Sequence, residues 1–61
     1  MSYKDELKEV RNSMGLSQQK LSDLLEIPLR TIEDWERGLH IPPDYVQRLV
    51  LKEMRRVKDE Q

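Results

Sequence analysis

The chain is expected to fold as an all-α protein, a compact bundle of four or five helices. Three observations carry this. Apolar residues recur at helical spacing through most of the 61 residues, glycine or proline punctuates each periodic stretch, and no stretch alternates in the manner of a strand. At this length folding buries only about 60% of the surface that the unfolded chain exposes. With no cysteine, helix packing and association with a second copy must supply the stability. Charged residues make up 38% of the chain and aromatic residues 5%, a composition compatible with disorder until the periodicity is taken into account.

The first helix carries Tyr3, Leu7, Val10 and Met14, spacings of four, three and four that lay one apolar stripe along its side. Gly15 supplies the left-handed residue that ends it. Ser17 stands where an N-cap belongs, and Leu21, Leu24 and Leu25 form the inward face of a second helix over residues 18–25. Pro28 lacks an N–H and pushes Ile27 out of helical geometry, so the chain breaks there. A third helix covers 28–37, with Ile32 and Trp35 inward, and Gly38 closes it. After LHIPP, Pro43 and Asp44 make a favourable start for a long last helix over 43–57. Tyr45, Val46, Leu49 and Val50 suffice for its core face. That leaves Leu51, Met54 and Val57 without cover, and with Val50 they form an expected dimer seam. Lys52, Arg55, Arg56 and Lys58 suit the negative end of the helix dipole. The reading is one domain over residues 1–58 with a frayed tail at 59–61.

Two helices joined by a turn of about three residues, the second opened by proline, have the dimensions of a helix-turn-helix. With Ile32 and Trp35 inward, the exposed side of the third helix holds Leu29, Arg30, Glu33, Asp34 and Arg37. Leu29 and Arg30 lie in the first turn, the part of a recognition helix that reaches base edges. Arginine there can grip guanine O6 and N7, worth about 1 to 3 kcal/mol of discrimination, and leucine can meet a thymine methyl.

The order Ser17-Gln18-Gln19-x-Leu21-Ser22, then Ile27-Pro28-x-Arg30-Thr31-Ile32-x-x-Trp35-Glu36-x-Gly38 and Pro42-Pro43, resembles the lambda-repressor-like helix-turn-helix family, also called the Cro/repressor or XRE type. The similarity runs from about Leu7 to Val50. It implies that Gln18 contacts a phosphate and braces the recognition helix, that Leu29, Arg30 and Asp34 approach bases, and that Arg37 and the residues just after Gly38 meet the sugar-phosphate backbone. Pro28, Thr31 and His40 complete the expected DNA-binding set. Such proteins are small dimeric regulators of phages, mobile elements and toxin-antitoxin operons. Three positions depart from the family pattern. Glu26 stands where the turn most often has glycine, Ser22 where the second helix usually has alanine, and one long helix where a fifth helix often follows.

Charge poses the main difficulty. Leu16 to Gly38 holds Lys20, Arg30 and Arg37 against Asp23, Glu26, Glu33, Asp34 and Glu36, and the whole chain has a net charge of -1. Asp23 and Glu26 are expected away from the groove, Glu36 bonded to backbone or a neighbouring helix, and Asp34 paired with Arg30 one turn earlier or accepting from cytosine. The scarcity of phosphate-neutralising cations weakens nonspecific affinity. The function expected is sequence-specific double-stranded DNA binding by a homodimeric repressor or autoregulator. The competing reading is a protein-interaction module that holds a toxin or a polymerase subunit. One histidine and no cysteine leave no base, nucleophile and orienting group to assign, so no enzyme, cofactor or metal site is expected. Without a leader or an apolar run of about 20 residues, the protein reads as soluble and cytoplasmic with no membrane partner.

Overall fold

A computed structural model describes residues 2–60. It contains α1 (Tyr3–Ser13), α2 (Gln18–Leu25), α3 (Leu29–Arg37) and α4 (Asp44–Glu60), with no strand among the described residues. Met1 of the expected domain and Gln61 of the expected tail lie outside them.

The helix boundaries follow from local chemistry. Gly15 takes φ 70° just past α1. The Ser17 hydroxyl accepts a hydrogen bond from the Lys20 backbone N–H at 3.1 Å, capping α2. Glu26 ends α2 in the left-handed region, φ 56° and ψ 40°. There the Ser22 hydroxyl, buried between the helices, donates to the Ile27 carbonyl at 2.6 Å. Ser22 therefore does more than keep the helices close, because it also ties down the turn. Pro28 has an extended ψ of 138° and flanks α3, where the sequence placed it inside. Its carbonyl accepts from the Thr31 N–H at 2.9 Å. Gly38 closes α3 at φ 79°.

The last helix differs from expectation at both ends. Pro43 lies just outside α4 and accepts from the Gln47 N–H at 3.0 Å. At the far end the helix runs past Val57, and Asp59 and Glu60, expected in a frayed tail, belong to it. Arg56 reaches Glu60 at 2.8 Å and also binds Glu53, an intrahelical bridge over the last two turns.

Leu7, Leu21, Ile32 and Met54 are fully enclosed, with Val50 and Leu51 beside them. Tyr3, Val10, Met14, Leu16, Leu25, Ile27, Trp35 and Val46 pack around this centre. α1 touches both α3 and α4, and α2 rests on α3. The rotation of α4 corrects the sequence reading. Val50, Leu51 and Met54 are buried in the chain's own core and Val57 is half-buried, so the expected dimer seam is already covered. Tyr45 and Leu49, expected inside, are 62% and 61% exposed. At about 100° per residue, Val46, Val50, Met54 and Val57 form one line, and α1 lies against that line. Leu24, expected to be buried, is also exposed.

One polar group sits deep in this interior. Glu36 is 2% exposed, and its carboxylate receives Arg11 through two bonds, Nε to Oε2 at 2.7 Å and Nη2 to Oε1 at 2.9 Å. The third guanidinium nitrogen donates to the Leu16 carbonyl at 2.8 Å, and the Gln18 amide donates to Glu36 Oε1 at 3.2 Å. Glu36 thus bonds neighbouring helices, as expected, and joins α3 to both α1 and α2. A paired, desolvated carboxylate of this kind costs about 3 to 5 kcal/mol when one partner is removed.

At the edge of the core the ring of Tyr3 meets Trp35 edge to face, centroids 6.0 Å apart and planes at 69°. Its hydroxyl is buried without a hydrogen-bond partner. Burial, and after it the charge of Glu6, pushes the phenol up to about 12 from its ordinary 10.0. Below pH 10 the phenol is protonated in both folded and unfolded chains, and its contribution to stability is intact. Between pH 10 and about 12 only the unfolded chain releases the proton, so rising pH favours unfolding across that window.

Two predictions follow from these local geometries. Replacing Glu26 with glycine relieves a left-handed side-chain residue and should raise stability in urea unfolding by about 1 kcal/mol, after allowing for the entropy that glycine adds to the unfolded chain; an unchanged or lowered midpoint would contradict the strain. The urea midpoint should fall between pH 10 and 12, and fall less for Tyr3→Phe. Equal slopes for the two proteins would show that Tyr3 does not titrate as described.

Candidate nucleic-acid interface

α2, the three residues Glu26 to Pro28 and α3 form two helices at a tight turn. On α3, Ile32 and Glu36 are buried and Trp35 is half-buried, whereas Arg30 and Arg37 are exposed and Leu29, Thr31, Glu33 and Asp34 are intermediate. Along the outer face runs an open cleft of about 480 Å³, lined by Pro28, Arg30, Thr31, Asp34, Trp35 and His40. Five residues expected to meet DNA therefore share one surface.

Their pairing departs from expectation. Asp34 has His40 Nε2 at 3.8 Å from its Oδ2, and it makes no ion pair with Arg30. At that separation the two side chains are neighbours without a hydrogen bond between them. Among the described residues Arg30 has no carboxylate within 4 Å. Its guanidinium is free to engage an external acceptor with two parallel bonds.

The remaining expected residues stand apart from the cleft. Leu29 is half-buried at its upstream end and Arg37 is exposed in the last turn of α3. Gln18 is turned toward Glu36. A carboxamide carries two N–H donors, so one braces α3 and the other remains for an acceptor outside.

Two contributors escape a reading of the sequence by itself. Arg11 was hidden in the first helix, although Leu7, Val10, Arg11 and Met14 follow the i, i+3, i+4, i+7 pattern and place it on the buried side. Lys4 is the other. A Cβ on Gly38 would lie 3.2 Å from Lys4 Cδ and 3.6 Å from its Nζ, so the ammonium stands over the negative end of α3. Lys4 and His40 share a second cleft of about 340 Å³ that also includes Trp35. Only folding brings residue 4 beside residue 38.

This arrangement reduces the effective acidity of the outer face. Glu36 is internal and neutralised by Arg11, and Asp23 lies on α2, away from the outer face of α3. The basic cluster of α4 is largely engaged elsewhere. Arg55 binds Glu6 at 3.1 Å, Lys58 donates to Ser13 at 3.1 Å, and Arg56 is held by Glu53 and Glu60. Those cations stitch α4 to α1 or brace α4 itself.

A family model described as helix-turn-helix matches residues 7–50, a span that contains α2, α3 and the Arg11–Glu36 pair. No curated protein and no solved structure matches the chain. Among the described residues no helix is long and apolar enough to cross a membrane, and no three His, Asp or Glu residues cluster as metal ligands.

Proposed function

Because the chain belongs to the lambda-repressor-like (XRE) helix-turn-helix family of DNA-binding regulators, we propose that it reads one specific duplex sequence as a homodimer and acts as a repressor or autoregulator. The observation that carries this reading is Arg30, exposed in the first turn of α3, free of any ion pair and set in a cleft with Pro28, Thr31, Asp34 and His40.

α3 lies in the major groove with its N-terminal turn toward the bases. Arg30 donates two bonds to guanine O6 and N7, and Leu29 meets a thymine methyl. Asp34 accepts from cytosine N4 and repels the acceptor edges of other bases, so acid here contributes to discrimination. Arg37, His40, Lys4 and the spare N–H of Gln18 contact phosphates along the groove edges. Few cations take part, so one copy binds weakly and with a shallow salt dependence. A single copy measures 30 Å in its longest dimension and presents one α3. Two copies engage half-sites about 34 Å apart, one helical turn.

Selection from a random duplex pool at low salt should enrich two related half-sites. In Arg30→Ala, preference at one base pair of each half-site should weaken by about 1 to 3 kcal/mol, with the other positions unchanged. Uniform loss on all sequences, or no loss, would remove Arg30 from direct readout. Failure of the folded protein to enrich any duplex would favour the interaction-module reading.

A further inference from the structure

We propose that the cleft between the start of α1, the end of α3 and the linker into α4 binds a small effector, an aromatic acid with a single carboxylate. The cleft has a volume of about 340 Å³, within the range of small-molecule pockets. Tyr3, Trp35 and Ile41 supply its apolar surface, and Lys4, His40 and Gln47 its polar groups. Apolar walls with a few polar groups converging from separate elements are what small-ligand sites share. The Tyr3 and Trp35 rings meet edge to face, centroids 6.0 Å apart and planes at 69°, so they make a corner and not a flat surface. A planar ring set in that corner takes the offset or edge-on contacts that aromatic groups prefer, and it covers Ile41, which is 75% exposed. The Tyr3 hydroxyl is closed off from solvent, so Tyr3 contributes its ring and not its oxygen.

Charge selects the other end of the ligand. The chain has 12 acidic residues among 61, yet none lines this cleft. Asp5, which accepts from the Ser2 hydroxyl at 2.9 Å, and Asp34, beside His40, both stand outside the lining. Lys4 supplies the one full cation, and Gly38 makes room for it. A Cβ at Gly38 would lie 3.2 Å from Lys4 Cδ, and the φ of 79° that closes α3 favours glycine there. Among the described residues no carboxylate lies within 4 Å of Lys4, so its ammonium is left to pair with one external negative charge. A neutral ligand would leave that ammonium unused, and a bare phosphate or a phosphodiester would leave the rings and Ile41 uncovered. An anion with a flat apolar body uses both. Trp35 and His40 also line the cleft along the outer face of α3, which couples the two surfaces. On the DNA-binding reading, on which this consequence rests, Lys4 and His40 meet phosphates. An occupied cleft withdraws them, so ligand and duplex weaken each other's binding.

Binding is measured first without DNA, by titrating the full chain with phenylacetate and following its backbone and indole resonances by NMR. Phenylacetate should bind saturably at about millimolar concentration and shift Lys4, Trp35, Gly38, His40 and Ile41 together. Phenylacetamide, the same shape without the charge, and inorganic phosphate, the charge without the ring, should each bind about fivefold more weakly or worse. Lys4→Gln and Ile41→Asp alter exposed side chains, and each should weaken phenylacetate about fivefold with the helical circular dichroism unchanged. Absence of saturable shifts, or equal binding of phenylacetamide, overturns the site, and equal binding of phosphate reduces it to an adventitious ion only. A second titration adds the selected duplex. Phenylacetate should weaken its binding severalfold in the wild type and not in Ile41→Asp. An unchanged duplex affinity overturns the coupling and leaves the ligand site standing, whereas a chain that binds no duplex overturns the DNA-binding reading and leaves the first titration to decide the site.

Discussion

The guanidinium of Arg11 and the carboxylate of Glu36 meet where three helices converge, and the position of the outer face of α3 depends on that meeting. Each is a charge withdrawn from water, and each is tolerated because the other is present with good geometry: two bonds at 2.7 and 2.9 Å, a third to the Leu16 carbonyl and a fourth from Gln18. Apolar contacts among Leu7, Leu21, Ile32 and Met54 drive the helices together without fixing their relative rotation, since they are non-directional. A bidentate pair is directional. It allows only a rotation of α3 that aims Glu36 at Arg11, and that rotation turns Arg30 outward. In so small a core, one such constraint has a large share in specifying a single structure.

The same pair answers the difficulty that charge poses for a DNA-binding chain. A net charge of -1 counts every carboxylate equally, yet a duplex responds to where each one lies. Glu36 is internal and paired with Arg11. The cations that α3 presents, Arg30 and Arg37, are free of ion pairs, and Lys4 joins them from α1. Much of the basic character of α4, by contrast, is consumed in contacts within the chain. Structural pairs lie inside and along α1 and α4, whereas among the described residues α3 carries the free cations Arg30 and Arg37 together with the unpaired carboxylate of Glu33.

Helix limits were largely legible because they rest on local chemistry. Ser17, Glu26, Gly15 and Gly38 act through their own backbone or the next turn, and α2 runs over the residues expected. The rotation of α4 was not legible. Apolar residues occur all round its first three turns, so two different faces satisfy the same pattern, and only the position of α1 decides that Leu51 and Met54 go inward and Tyr45 and Leu49 outward. At the site, Arg30 and Asp34 share one face as their spacing on a helix suggested, and Pro28, Thr31 and His40 line the same cleft beside them. The partner of Asp34 lies in a loop whose path no periodicity describes, and the places of Lys4 and Arg11 depend on contacts across more than twenty residues. The turn residue Glu26 shows the converse, a local rule broken by the side chain and still obeyed by the backbone.

Arg11 and Glu36 act as one unit, and a double-mutant cycle measures that directly. Urea unfolding of wild type, Arg11→Met, Glu36→Leu and the double variant is best done with a stabilising osmolyte, because a chain of this size has little stability to lose. Each single variant should lose about 3 to 5 kcal/mol, or fail to fold, because it leaves a charge buried and alone, and the double variant should regain most of the loss. Small single losses that simply add in the double variant would contradict it, and would mean that apolar packing by itself sets the orientation of α3.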